Sequence, residues 1–179
     1  MADQLSANDW LDQGLKTLGK HGFTALKAEP LAKAMGVSRG SFYWHFADID
    51  AYHAAILAHW RDVAVEQIIR DVEAASADRE ALQALLIRVF GTRPPLLESA
   101  MRGWAARDPR ARAAVKAVDQ RRTDYVESLL RAAGWPTEAA QARAQILYWT
   151  FLGFALSDKL LPPERHRAML KELLQIASR

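Results

Sequence analysis

Ser38, Arg39, Ser41, Tyr43, Trp44 and His45 bring six hydrogen-bonding side chains into eight consecutive positions, with Gly40 among them. On a helix that Ser38 caps and that buries Phe42 and Phe46, four residues apart, the outward residues are Arg39, Gly40, Ser41, Tyr43, Trp44 and His45. Such a surface suits double-stranded DNA. The amide-rich start of the helix favours a phosphate. Gly40 and Ser41 permit close approach, and the remaining side chains offer donors to phosphate oxygens and base edges. Arg39 is the side chain best suited to a base edge such as that of guanine, whereas Trp44 has the alternative of stacking on its own domain.

Other chemistry finds little support. The chain has no cysteine, which removes disulfides, thiolate metal sites and cysteine nucleophiles together. No Ser-His-Asp elbow, glycine-rich phosphate loop or paired-carboxylate pattern is present, so an enzyme is not expected. His59, Asp62 and Glu66 fall at i, i+3 and i+7, near His53. Exposed helix faces carry such groups routinely, and neither a metal nor a cofactor is expected.

The outward set needs a frame, and residues 31–46 have the form of a helix-turn-helix. Leu31 and Met35 bury the first helix, Gly36 takes the left-handed backbone of the turn, and Val37 fills the corner. Ser38 is placed to cap a helix ending near Phe46. Ahead of it, Trp10, Leu11, Leu15 and Leu18 form a helical stripe ending near Gly22. Behind it, Asp48 caps a fourth helix from about 48 to 72, carrying Tyr52, Ile56, Trp60 and Val63. The polar stretch 73–78 is the expected break. Leu82, Leu85, Leu86, Val89 and Phe90 then mark an amphipathic helix, stopped by Pro94-Pro95. Leu97, Ala100, Met101, Trp104 and Ala105 form the next stripe. Asp108-Pro109 reads as a cap and first residue of a long helix closed by Gly134. Thr137 is placed to cap the following helix, and Pro162-Pro163 precedes a last one with Met169, Leu170, Leu173, Leu174 and Ile176. No alternating strand, repeat or low-complexity segment appears, so the fold is expected to be all-α.

In the series Gly22-Phe23, Leu31-Ala32, Gly36-Val37-Ser38, Gly40-Ser41-Phe42-Tyr43 and His45-Phe46 the sequence resembles the tetracycline-repressor (TetR) family of bacterial regulators, from Trp10 to about Tyr52. The resemblance implies a three-helix N-terminal DNA-binding domain, a fourth helix, and a divergent C-terminal domain for ligand binding and dimerisation. It adds Lys27 to the DNA-contacting residues, at a position where the family usually has threonine. Lysine supplies charge to a phosphate but cannot cap the helix. The family also favours lysine shortly after His-Phe, where this chain has Ile49 between Asp48 and Asp50. Those two carboxylates are expected to weaken nonspecific affinity.

Of the 179 residues, 50% are apolar and 25% charged, the usage of a globular protein rather than a disordered one. The first ten residues lack the basic and apolar regions of a secretory signal. The longest apolar run, 146–156, is about half the ~20 residues that span a bilayer. A cytoplasmic protein without membrane contact is therefore expected. Net charge is +3, with a pI near 9.3. Between residues 15 and 45 five cations face Glu29 alone, and between 102 and 122 seven Lys/Arg face Asp108 and Asp119. The second excess reads as a solvated helix face.

The helix through 146–156 is apolar almost all round and must be covered on both sides. With the final amphipathic helix it predicts a homodimer through the last two helices. Trp60, Phe90, Met101, Trp104, Tyr125, Tyr148 and Trp149 are candidate lining for an effector site. Arg102, Arg121 and Arg122 lie near them in sequence and would suit a polar or anionic group. The expected organisation is a DNA-binding domain over 1–50 and a ligand-binding and dimerisation domain over 51–179. The expected function is a ligand-responsive regulator, a repressor, that binds a palindromic operator as a dimer and is released by a small, mainly apolar effector. The alternative is an adaptor whose C-terminal half recruits another protein.

Overall fold

A computed structural model describes residues 5–75, 80–91, 96–157 and 161–177. Among these the structure is helical, with no strand: α1 (Ala7–His21), α2 (Ala28–Ala34), α3 (Arg39–Tyr43), α4 (Ile49–Arg61), α5 (Gln67–Ala75), α6 (Ala81–Phe90), α7 (Leu97–Ala105), α8 (Pro109–Ala132), α9 (Thr137–Leu156) and α10 (Pro163–Ala177). A short 3₁₀ turn (Phe23–Ala25) precedes α2, and a π-helical turn (Asp62–Glu66) joins α4 to α5. The all-α expectation holds. The chain divides into two compact units, one of residues 1–63 and 95–116, the other of 64–94 and 117–179. This is a division by packing. The division expected at residue 50 is one of function.

In the first unit, α1 starts at a capping box. Ser6 Oγ accepts from the Asp9 amide at 3.3 Å, and the Ser6 amide donates back to the Asp9 carboxylate at 2.7 Å. The stripe Trp10, Leu11, Leu15 and Leu18 is buried as its spacing requires. Gly22, at φ 75°, ends the helix with its amide on the Leu18 carbonyl. Leu31 and Ala32 bury α2, and Gly36 turns the chain at φ 70°. The last helix of the motif is shorter than its aromatic spacing predicts. α3 spans five residues, and a turn with the His45 and Phe46 amides on the Phe42 carbonyl carries the chain onward. The chain must then reach Asp48, whose carboxylate accepts from the Ala51 amide at 2.7 Å to start α4.

The fourth helix of the sequence reading is helical throughout but not uniform, since the π-helical turn divides it. In the second unit, α6 packs on α5, α9 and α10. Leu82, Leu85, Leu86 and Phe90 are buried there with Val65, Ile69 and Val72, and with Leu129, Leu130 and Leu147. Gly134, at φ 90°, follows α8. Thr137 does not cap α9: Pro136 holds the cap position, and Thr137 is the first helical residue. Pro163 opens α10. The expected stop at Pro94-Pro95 and the second part of the 73–78 break lie outside the described residues, and 73–75 are still helical.

Candidate nucleic-acid interface and effector site

Phe42 anchors the recognition helix. Its ring is fully buried, edge-on to Trp10 at 5.4 Å and to Tyr52 at 5.1 Å, with Phe46 at 5.3 Å. Once Phe42 and Phe46 point inward, helical geometry turns the intervening side chains outward. Lys27, Ser38, Arg39, Gly40, Tyr43 and Trp44 are exposed, and Ser41 and His45 half-buried. Trp44 is 82% exposed and Tyr43 49%. Trp44 therefore does not stack on its own domain. Ser38 stands at the cap position of α3, but its hydroxyl makes no capping bond there, which corrects the capping role read from the sequence. Lys27 opens α2 without a side-chain cap.

Arg39 and Tyr43 form a pair on this surface. The guanidinium donates to the Tyr43 hydroxyl at 3.1 Å and lies 5.7 Å from the ring centroid. That bond, with the pull of the phenol's charge, raises the Arg39 pKa. Asp48 is engaged in its cap, and Asp50 pairs with Arg110 at 3.0 Å. The two carboxylates beside the motif thus both have cationic or amide partners.

Three positioning residues have partners that the sequence pattern does not reveal. The Tyr52 hydroxyl donates to the Trp10 carbonyl at 2.8 Å across the α1–α4 crossing. Burial holds its pKa well above the usual tyrosine range. Gly14 lies at the same crossing, facing Tyr52 and Ile56. His53 is buried, with Nε2 3.0 Å from the Leu26 carbonyl just ahead of α2. Its ring packs on Phe23 at 4.9 Å and on Trp104 at 5.6 Å, and Phe23 stacks on Trp104 at 4.5 Å. The Trp104 indole donates to Asp108 at 3.2 Å. Asp108 also accepts from the Arg110 and Ala111 amides at the start of α8.

The candidate effector residues divide between the units. Trp60, Met101 and Trp104 are buried in the first; Phe90, Tyr125 and Tyr148 are buried in the second, where Trp149 is 64% exposed. The Tyr148 hydroxyl donates to Asp119 across α8 and α9. Arg102 pairs with the buried Glu98 at 2.9 Å. Arg121 reaches Glu66 at 3.4 Å, and Arg122 lies 5.0 Å over the Phe151 ring. Burial and the Glu73 charge raise the Tyr125 pKa, against the opposing charge of Arg121. Among the described residues no group of three or more His, Asp or Glu could hold a metal ion. His59 pairs instead with Asp12 at 2.7 Å. No helix among them is long and apolar enough to cross a membrane.

The family model described as bacterial regulatory proteins, tetR family, matches residues 11–56, from within α1 through α2 and α3 to within α4. Over these residues the chain matches that family's N-terminal domain. Solved structures extend the likeness to the fold of the whole chain. A transcriptional regulator from Rhodococcus sp. Rha1 is 22% identical over 97% of this chain and 96% of its own, with a TM-score of 0.74. AibR, solved in complex with isovaleryl coenzyme A and operator DNA, is 17% identical over 93% and 97%, at 0.67. The multidrug binding protein EbrR, complexed with imidazole, is 22% identical over 96% of each, at 0.58. No protein with a curated description matches this sequence. Residues 11–56 thus match the tetR-family domain, and the whole chain shares the fold of these structures.

Proposed function

We propose that the protein is a ligand-responsive repressor, acting in the bacterial cytoplasm, that binds a palindromic operator as a homodimer and leaves it when a small, mainly apolar effector binds. The carrying observation is the outward face of α3, which presents Arg39, Tyr43 and Trp44 on a frame held by buried Phe42. Residues 1–50 read DNA, through Lys27, Ser38, Arg39, Gly40, Ser41, Tyr43, Trp44 and His45. Residues 51–179 dimerise and take the effector. Two recognition helices about 34–36 Å apart would enter successive major grooves.

Of the seven aromatic and Met candidates, Phe90, Tyr125 and Tyr148 are the ones we assign to the effector site. Trp60, Met101 and Trp104 serve the core of the first unit, and Trp149 belongs to the dimer face. AibR, solved with both an acyl coenzyme A and operator DNA, supports a two-ligand reading of this fold. Release requires that the effector bind the DNA-free state more tightly, a coupling of typically ~1–3 kcal/mol.

Selection of bound fragments from genomic DNA gives the operator. Against it, Tyr43→Ala is expected to weaken binding to all sequences and to flatten the salt dependence by about one phosphate contact. Arg39→Ala is expected to relax preference at one position of each half-site. Because Arg39 and Tyr43 are hydrogen-bonded, Tyr43→Phe should also relax that preference while leaving the salt slope nearly unchanged. If all three variants bind like the parent at several salt concentrations, α3 is not the reading helix.

A further inference from the structure

Tyr125 is 7% exposed, and among the described residues its hydroxyl has no hydrogen-bond partner. Buried phenols normally find one, and an unmade buried donor is destabilising. The other two buried tyrosines conform: Tyr52 donates to the Trp10 carbonyl and Tyr148 to Asp119. The charges of Arg121, one turn earlier on α8, and of Glu73, on α5, both act on the Tyr125 hydroxyl. Four residues apart, Arg121 and Tyr125 share one face of α8, and Arg121 reaches Glu66, so that face borders residues 64–75.

Two arginines of α8 cross that seam. Arg121 donates to the two Glu66 carboxylate oxygens at 3.4 Å each, and Arg122 donates to the Ala64 carbonyl at 3.4 Å. All three lie beyond the usual 2.7–3.2 Å range of an N–H···O bond. Ala64 and Glu66 belong to the π-helical turn, a feature that recurs at functional sites. The buried side chains of this stretch are apolar: Val65, Ile69 and Val72.

We propose that the effector is an apolar molecule bearing an uncharged carbonyl oxygen, and that Tyr125 donates its hydroxyl hydrogen to that oxygen in the seam between α8 and residues 64–75. The inference rests on the effector reading above and gives it a chemical class. A phenol offers one donor hydrogen, which matches one acceptor oxygen. Arg121 is already engaged by the Glu66 carboxylate, so a charged carboxylate ligand would have to displace Glu66 where a ketone would not. A ligand seated there contacts the segment that continues directly from the π-helical turn, so its binding acts on the fourth helix itself.

Two isosteric pairs test this on the full-length protein: acetophenone with α-methylstyrene, and cyclohexanone with methylenecyclohexane. Each pair exchanges C=O for C=CH₂ at nearly constant shape. Titration followed by tryptophan fluorescence should show the parent binding each ketone about tenfold more tightly than its hydrocarbon twin, the size of one net hydrogen bond. Tyr125→Phe should bind both members equally. Without ligand, Tyr125→Phe should unfold at the same or a higher urea concentration, because it removes a buried donor that has no acceptor. A variant less stable than the parent without ligand would mean that the hydroxyl is satisfied inside the protein, and would overturn the proposal. Equal binding of each pair by the parent, or discrimination that survives in Tyr125→Phe, overturns the hydroxyl's role while leaving the effector reading standing. Absence of binding by all four compounds at millimolar concentration counts against the effector reading and removes this proposal with it.

Discussion

A Cβ on Gly14 would overlap the Tyr52 hydroxyl oxygen and Ile56 Cδ1, so the α1–α4 crossing requires glycine there for space rather than for backbone freedom. Gly14→Ala is expected to cost about 1–3 kcal/mol, the usual penalty of overpacking. Tyr52→Phe should cost about 1 kcal/mol through the lost bond to the Trp10 carbonyl. In the double variant the phenol oxygen that the new methyl meets is gone. Urea unfolding should therefore show the two losses to be less than additive; strict additivity would mean that the crossing adjusts elsewhere. None of this was legible in the sequence. Gly14 sits in a helical stripe where it reads as a weak helix former, and Tyr52 is 38 positions away. The His53 bond to the Leu26 carbonyl, 27 positions apart, is hidden for the same reason. The outward face of α3 was legible, because Phe42 and Phe46 declare which side of one short segment is buried.

Helix starts with a carboxylate cap were read correctly at Asp48 and Asp108, whose side chains accept from amides of the first helical turn. Hydroxyl caps were not: neither Ser38 nor Thr137 makes the bond. The π-helical turn was missed as well: its extra residue carries the buried face from Trp60 to Val65, where an unbroken helix would bury Val63. Asp108 does more than cap, because it also receives the Trp104 indole, which stacks on Phe23 and touches His53. Burial works to raise its pKa, but the bonds from the Ala111 and Arg110 amides and from Trp104 outweigh it, and the result is lowered. A folded pKa below the unfolded one means stability that is intact above about pH 4 and lost as pH falls through the folded value. Asp108→Asn should thus be less stable than the parent at neutral pH, with the gap narrowing in acid. A gap in urea midpoints that stays constant from neutral pH into acid would show that the charge of Asp108 is not what matters. Trp104→Ala, by removing the stack beside Leu26 and α2, should weaken DNA binding even without an effector. Unchanged operator affinity in this variant would return Trp104 to the effector candidates.

At the scale of the whole molecule the open question is assembly. α9 buries Ala140, Ala144, Leu147 and Tyr148. It leaves Ile146 at 51% exposure and Trp149 at 64%, with Gly153 and Leu156 also exposed. The exposed positions 146, 149, 153 and 156 follow helical spacing, so they form one apolar stripe opposite the buried one. On α10, Ile176 is exposed too, and its carbonyl accepts from Arg143 of α9 at 2.6 Å, which brings the end of the last helix against α9. Water leaves such a stripe readily when a second copy supplies the same stripe, and a two-fold contact is the simplest closed solution. The unmodified chain should therefore sediment at twice its 20.0 kDa mass at micromolar concentration. Trp149→Glu and Ile146→Glu should each shift that equilibrium to monomer without loss of helical circular dichroism, because both side chains already meet water in the single chain. The same variants should bind a single half-site as the parent does but lose the added affinity of the full palindrome, since one recognition helix no longer holds the other near its groove. A monomeric parent would remove the dimer and the palindromic operator together. A dimer indifferent to both substitutions would place the interface on another face, while leaving the two-fold operator in place.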